Sequence, residues 1–229
     1  MSKKFKSTTF EKHIIPEDEY VARIVSIIDF GTQKTTWQNA EKLQEQVKVQ
    51  FELVEYSREW TNKEGETIEG NAMLSKTYTQ TMSSNGNFIK LAKAAMGRKL
   101  TTEEEEAFDP DVLLGLPVLL EVGEGESDNG KYNKIEGVFR APKDEEIPEA
   151  ENPIFSFWLD EDSDWEVFEG LHDWLKDIIR KSPEYAELRE EEDAPAPKRK
   201  RRKPDDEDDL DEVLATKPKK VRGKAKKDY

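Results

Sequence analysis

The stretch "DNGKYNKIEGVFRAPK", residues 128–143, has the pattern of a tight turn followed by one β-strand. The pair Asn129-Gly130 is typical of two-residue hairpin turns, because both residue types tolerate positive φ. Beyond the turn, side chains alternate between two faces, as they do in a strand. One face carries Tyr132, Lys134, Glu136, Val138 and Arg140, and the other carries Asn133, Ile135, Gly137 and Phe139. We expect Ile135 and Phe139 to reach a core, which leaves Tyr132 between lysines on an outer surface.

The residues upstream of this stretch have the pattern of four more strands, enough to complete a small sheet. The predicted strands are "EYVARIVSIIDFG" (19–31), "EQVKVQFELVEYS" (45–57), "AMLSKTYTQTM" (72–82) and "LPVLLEVGEG" (116–125). In the first strand we expect one shared face for Tyr20, Ala22, Ile24, Ile28 and Phe30. Residues 32–42 and 58–71 are predicted to be polar loops between these strands.

A helical segment is predicted between the third and fourth strands. In residues 83–97 the apolar side chains recur at helical spacing, Ser84 or Asn85 is expected to cap the start, and Gly97 is expected to end the helix. Residues 101–108 predict a short acidic helix in which Thr102 and Glu105 fit a capping box. Residues 109–115 predict one more helical turn.

This order predicts a mainly β fold with helices. Five short strands with a helix between the third and fourth match a five-stranded OB-fold barrel, which binds oligonucleotides on strands two and three and on the loops 1–2 and 4–5. We therefore predict an OB-fold nucleic-acid-binding domain over residues 1–143. Another small α+β barrel or sandwich with a similar strand order remains open.

Charge divides the rest of the chain. The chain has a formal net charge of −15, of which residues 1–143 carry −5, residues 144–193 carry −15 and residues 194–229 carry +5. We predict an acidic connector and an amphipathic helix over 144–186, with Phe168, Leu171, Trp174, Leu175, Ile178 and Ile179 on one stripe. Residues 187–229 are of low complexity and are predicted to be a disordered charged tail.

The chain also resembles a family of phage and prophage single-stranded DNA-binding proteins of OB-fold type. The resemblance covers about residues 70–143, and the closing strand contributes Tyr132 and Ile135 to it. The other matching residues are Lys76, Tyr78 and Thr79, Ser83 and Ser84, Gly97 and Arg98, Thr102, Glu103 and Glu104, Phe108 and Asp109, and Leu114 and Gly115. The resemblance implies a role in phage DNA replication or recombination in the cytoplasm of a bacterial host cell.

Sequence-tolerant binding of a single strand requires aromatic faces for the bases and cations for the phosphates. The predicted nucleic-acid-binding residues are Lys34, Trp37, Lys48, Trp60, Lys76, Tyr78, Lys131, Tyr132, Lys134 and Arg140. In the alternative interpretation, Tyr132 covers a barrel end, a loop tryptophan packs on its own barrel and the lysines only solvate the sheet.

The tail suggests a second kind of contact. The acidic run "DDEDDLDEVL" is predicted to recruit replication or recombination proteins through Asp208, Asp209, Leu210, Val213 and Leu214, although basic residues follow it. The basic clusters at 198–203 and 217–227 resemble nuclear import signals, but we favour contacts with nucleic acid. The alternative function is an acidic adaptor or DNA-mimic protein that docks a host or replication protein.

Other classes of protein find little support in the sequence. It has no cysteine, two histidines far apart in the chain and no phosphate-binding loop, so we predict no enzyme, no cofactor and no metal site. The stretch "GEGESDNGKYNKIE" resembles a calcium loop, but its first position is Gly rather than Asp. No apolar run approaches the roughly 20 residues of a membrane span. The N-terminus lacks the apolar centre of a signal peptide.

Overall fold

The computed structural model describes residues 13–37, 40–61, 65–127 and 130–193. They form a mainly β structure with a few short helices. The strands are β1 (Asp18–Trp37), β2 (Ala40–Thr61), β3 (Thr67–Thr79), β4 (Pro117–Ser127), β5 (Gly130–Arg140) and β6 (Phe155–Phe157). The helices are α1 (Asn87–Met96), α2 (Thr102–Glu106), α3 (Trp165–Gly170), α4 (Asp173–Ile179) and α5 (Pro183–Asp193), with a 3₁₀ turn at Pro110–Leu113.

Five of the strands form an antiparallel sheet in the order β3-β2-β1-β4-β5, and the short β6 pairs parallel to β1. The sheet is open, because no backbone ladder joins the described parts of its edge strands β3 and β5. The mainly β prediction is thus confirmed, whereas the closed OB barrel is not. A side chain spans the two edges instead: Lys76 Nζ on β3 donates to the carbonyl oxygen of Ile135 on β5 at 2.8 Å.

Two segments predicted as loops are parts of long hairpins. β1 and β2 stay paired from Ala22↔Leu53 to Trp37↔Ala40, so most of 32–42 is strand. β2 and β3 likewise pair as far as Thr61↔Thr67, inside the segment 58–71. Both of these hairpin segments are rich in polar residues. Polar side chains are compatible with a strand when a partner strand lies beside it.

The inner core lies on one face of this sheet and is covered by α1. Val47, Val49, Phe51 and Leu53 of β2 are buried there, as predicted, opposite Phe88, Ile89 and Leu91 of the helix. The helix ends at Gly97, as predicted, in a left-handed conformation with φ 64°. Its start was predicted wrongly, because the N-cap is Gly86 and no side chain caps it. The capping box of α2 lies one residue earlier than predicted, on Thr101 and Glu104.

A bulge in β1 creates a second core on the outer face of the sheet, the face turned away from α1. The register of β1 on β2 shifts between Ile24 and Ser26, so side chains beyond this point change face. Ile24 lies in the inner core, while Ile28 and Phe30 are buried on the outer side, against the predicted shared face. Phe157, Phe168, Leu171, Leu175 and Ile179 pack on them. We call β6 and α3–α5, residues 155–193, the C-terminal layer.

The C-terminal layer differs from the predicted connector and single helix. The predicted helix is divided at Leu171 and His172 into α3 and α4, and α5 continues to Asp193, into the predicted disordered tail. The described residues all belong to one compact unit. Residues 194–229 lie outside the described residues. None of the described helices is long and apolar enough to cross a membrane.

An oppositely charged pair holds residues 147–152 against the sheet. Arg23 and Glu52 are cross-strand neighbours on the outer face of β1 and β2. Arg23 donates to the carbonyl oxygens of Ile147 and Pro148, at 2.8 and 2.6 Å. The carboxylate of Glu52 accepts from the backbone N–H groups of Glu151 and Asn152, both at 2.8 Å. We call this arrangement the Arg23–Glu52 clasp, and it fixes the acidic connector on the sheet.

Candidate nucleic-acid interface

The outer side of β4 and β5 carries two exposed aromatic rings. Along β4 the inner positions Val118, Leu120 and Val122 are buried, so the residues between them and beyond them face outward. Register pairing then places Leu119 beside Phe139, Glu121 beside Gly137, Gly123 beside Lys134 and Gly125 beside Tyr132. We call this surface the β4–β5 face. Tyr132 is 37% exposed and Phe139 is 47% exposed.

Phe139 was predicted to be a core residue, and a β-bulge explains why it is not. The pairing shifts from Val122↔Ile135 to Glu121↔Gly137, which leaves Glu136 as an extra residue in β5. The extra residue inverts the alternation beyond it, so Val138 packs on the inner core and Phe139 points outward. Ile135, which precedes the bulge, is 5% exposed and reaches the core as predicted.

Glycines beneath both rings allow them to approach the backbone closely. A Cβ on Gly125 would lie 2.5 Å from Cζ of Tyr132, and one on Gly137 would lie 2.5 Å from Cε2 of Phe139. A side chain at either glycine would therefore displace the ring above it. Both rings thus lie over glycine backbone and stay partly exposed, and exposed aromatic surface is what a stacking base needs. The rings are separated by about 20 Å along β5.

The lysines beside Tyr132 are exposed and form surface ion pairs. Lys131 Nζ lies 2.7 Å from Glu124 Oε2, and Lys134 Nζ lies 2.9 Å from Glu136 Oε1. The hydrogen bond that Lys131 donates to Glu124 raises the pKa of Lys131, and the one that Lys134 donates to Glu136 raises the pKa of Lys134. Both ammonium groups are therefore charged at neutral pH. Exposed ion pairs are weak, so a phosphate can replace the glutamate as a partner.

Tyr78 and Lys76 were predicted on an outer face, and this placement is wrong. Lys76 pairs with Val49 and Tyr78 pairs with Val47, and both valines are inner-core residues. Tyr78 is 4% exposed and meets Phe88 edge-on, with ring centroids 6.0 Å apart. Burial lowers the pKa of Lys76, whose ammonium group is half-buried at the β3–β5 gap. Ala72 and Leu74 lie on the same face of β3 as Lys76 and Tyr78. These two apolar residues were the sequence signal that this face turns toward the core.

Lys48 faces outward on β2 as predicted, and the C-terminal layer covers it in part. Its Nζ lies 4.8 Å from the ring centroid of Trp174 in α4, which is a cation–π distance. Burial lowers the pKa of Lys48. Trp174, predicted on the apolar stripe of the helix, is 47% exposed instead. The sequence did not indicate this Lys48–Trp174 pair, because the two residues lie far apart in the chain.

The remaining predicted residues lie at different ends of the sheet. The antiparallel order places the β2–β3 and β4–β5 turns at one end and the β1–β2 turn at the other. Trp60 thus shares an end with Lys131 and Tyr132, whereas Lys34 and Trp37 lie at the opposite end; Lys34 is exposed. The Trp37 and Trp60 side chains lie outside the described part of the structure.

Arg140 and the tail residues complete the predicted set. Arg140 faces the inner side near the end of α1, where a Cβ on Gly97 would lie 2.7 Å from its Nε. It is therefore separate from the β4–β5 face. The predicted partner-binding residues of the tail lie outside the described residues: Asp208, Asp209, Leu210, Val213 and Leu214.

No protein-family model matches this sequence, and neither does any curated protein. The resemblance to phage single-stranded DNA-binding proteins stays a prediction.

Proposed function

We propose that the protein binds single-stranded DNA without strong sequence preference. The observation that carries this proposal is the pair of exposed rings, Tyr132 and Phe139, on the glycine-rich β4–β5 face. Bases of any sequence have an aromatic face and can stack on such rings. Lys134 lies on the same face as Tyr132 for the phosphates, and Lys131 lies at the same hairpin end on the opposite face. A rigid duplex keeps its bases stacked inside, so it gains less from this surface.

We further propose that the sheet is an OB-type barrel opened at one seam. The strand order β3-β2-β1-β4-β5 is that of an OB barrel cut between its third and fifth strands, and α1 lies between β3 and β4 in the chain. The bond from Lys76 to Ile135 spans this seam at the point where a barrel would close. In this interpretation the β4–β5 hairpin is the binding loop 4–5 of the fold.

Fluorescence anisotropy with the full-length chain tests the proposal. A labelled oligothymidylate should bind more tightly than a duplex of equal length, and its affinity should fall as salt rises because each phosphate contact releases counterions. A strand of mixed sequence should bind comparably. Equal affinity for duplex and single strand would contradict the stacking interface.

An acidic adaptor remains the second candidate, and one observation favours it. The segment 144–193, with its charge of −15, is fixed on the sheet by the Arg23–Glu52 clasp and the outer core. A folded acidic surface can present carboxylates to a basic protein in a defined arrangement, as a DNA mimic must. Binding of basic proteins that oligothymidylate does not displace would favour this function over the first.

A further inference from the structure

A cleft lies between the outer face of the sheet and the C-terminal layer. Its volume is about 280 Å³, slightly below the range of drug-sized ligand pockets, so it suits one small group. Met73 of β3, Phe155 of β6 and Leu171 line it with apolar surface. Gln50, Asn152 and His172 line it with polar groups.

Hydrogen bonding within the cleft leaves one donor and one acceptor available. Gln50 Oε1 accepts from Ser26 Oγ at 2.6 Å, and within the described residues its Nε2 has no partner. Asn152 Nδ2 donates to Glu52 Oε2 at 2.7 Å, and no described group donates to its Oδ1. His172 precedes α4, and its side chain does not cap that helix. An amide donor, an amide acceptor and an imidazole thus border one apolar space.

Two charged side chains of β2 next to the cleft favour a neutral group inside it. The buried carboxylate of Glu52 lies behind Asn152 and disfavours an anion there. Lys48, two residues before Gln50 on the same face of β2, lies about 7 Å away along the strand and can attract a phosphate outside the cleft. A neutral planar group attached to an anionic backbone satisfies both conditions.

We propose that this cleft binds one nucleobase of the single strand. Every base offers at least one hydrogen-bond donor or acceptor on its edge, and its apolar faces suit a cleft lined by Met73, Phe155 and Leu171. The phosphate next to the bound base then lies near Lys48 and Trp174. The inference rests on the proposed function, and it adds a second binding site on the opposite part of the outer face from Tyr132.

Methionine methyl groups provide the test, because Met73, Met82 and Met96 each line a different cavity. The full-length chain is labelled with ¹³C-methyl methionine and titrated with oligothymidylate, and separately with thymidine 5′-monophosphate. We expect the Met73 resonance to shift with both, and Met82 and Met96 to stay in place. An abasic strand of equal length should leave Met73 unshifted. The Met82 and Met96 methyl groups also control for changes in the whole fold.

The outcomes separate this inference from the proposed function. If anisotropy shows the oligothymidylate bound and Met73 does not shift, the cleft proposal is overturned and the β4–β5 interface stands. If no oligonucleotide binds, the titration with thymidine 5′-monophosphate is the test. A shift of the Met73 resonance then supports the cleft proposal, and the absence of a shift overturns it. Equal shifts of all three methyl groups also overturn it.

A matched pair of variants adds an independent measurement. Gln50→Ala removes the amide donor of the cleft, whereas Gln46→Ala changes the same residue type on the same face of β2, outside the cleft. We expect Gln50→Ala to weaken oligothymidylate binding roughly two- to tenfold, the effect of one lost hydrogen bond, and Gln46→Ala to leave it unchanged. Equal effects of the two variants would contradict a role for the cleft.

Discussion

The outer faces of β1–β2 and of β4–β5 belong to one sheet, but only the second is open to solvent. On β1 the outward residues Ile28 and Phe30 are large and apolar, and the C-terminal layer buries them. On β4 and β5 the outward positions include three glycines, and Tyr132 and Phe139 already cover two of these. In this sheet the second layer lies over the large apolar outward residues, and the glycine-rich part has none among the described residues. The open part is then available to a ligand.

Removing a ring from the covered side should have the largest effect. Phe168 is fully buried in the outer core and packs on Phe157, with centroids 5.7 Å apart. We expect Phe168→Ala to lower the free energy of unfolding by about 3–5 kcal/mol, because it removes a buried ring and leaves a cavity. Urea denaturation followed by circular dichroism measures this change. Phe139→Ala is the matched control, and its exposed ring should cost less than about 1 kcal/mol. Similar values for both would contradict the contrast between the two faces.

The Arg23–Glu52 clasp should be the next largest contribution. Burial raises the pKa of the Glu52 carboxyl, and hydrogen bonds from Asn71, Glu151 and Asn152 lower it by more, so the net pKa is lowered. Glu52→Gln places an amide N–H against backbone N–H groups, and we expect a loss of about 2–3 kcal/mol. Chemical denaturation at neutral pH measures it. Glu121→Gln, on the exposed β4–β5 face, is the control and should change stability little.

The same carboxylate predicts a dependence of stability on pH. Because the folded pKa of Glu52 lies below its ordinary value of 4.5, its contribution is complete above pH 4.5. The contribution is lost as pH falls through the folded pKa. Denaturation of the wild type and of Glu52→Gln at several pH values should therefore show a difference that shrinks on acidification below that range. A constant difference would show that the carboxylate charge is not what stabilises the connector.

On the open face, loss of a ring should affect binding more than stability. We expect Tyr132→Ala and Phe139→Ala each to weaken binding of oligothymidylate by about 1–3 kcal/mol, the usual contribution of one stacked base. Tyr132→Phe retains the ring and should bind like the wild type. Anisotropy measures the affinities, and thermal melting checks that each variant is folded. A folded Tyr132→Ala variant with unchanged affinity would exclude stacking on this residue.

Local patterns predicted most of the strands, and register shifts caused most of the errors. Alternation in "EQVKVQFEL" placed Val47, Val49 and Phe51 correctly, because β2 is regular over these residues. A bulge in β1 and another in β5 each inverted the alternation beyond it, which moved Phe30 and Phe139 to the outer face. Sequence periodicity does not show where a strand contains an extra residue, since a bulge depends on the partner strand.

The binding residues were harder to predict than the fold. Tyr132 and Lys134 were placed correctly on the outer face, because only the turn and the first residues of β5 decide their orientation. Lys76 and Tyr78 were misplaced, although Ala72 and Leu74 share their face of β3. The cover on Lys48 depends on Trp174, more than a hundred residues away in the chain, and nothing local to β2 indicates it.

The smallest expected effect distinguishes the two tyrosines. The hydroxyl of Tyr78 is buried and has no hydrogen-bond partner among the described residues, an arrangement that costs free energy in the folded state. We expect the free energy of unfolding of Tyr78→Phe to equal that of the wild type or to exceed it by up to about 1 kcal/mol. The variant should bind oligothymidylate like the wild type. Urea denaturation and anisotropy measure the two quantities. Tyr132→Phe, which changes an exposed ring in the same way, is the control.

An alkaline titration sharpens this prediction. Burial raises the pKa of Tyr78 above its ordinary value of 10.0, so the folded state resists ionisation of this hydroxyl. The unfolded chain ionises from about pH 10, and stability should therefore fall as pH rises beyond that value. Tyr78→Phe lacks the ionisable group and should lose less stability than the wild type between neutral pH and the alkaline range.

Because Tyr78 lies behind β3 in the inner core, a clear loss of DNA affinity in a stable Tyr78→Phe variant would contradict its assignment to the core. The interface would then extend through the β3–β5 seam, where Lys76 already lies 5.9 Å from the Tyr78 ring centroid.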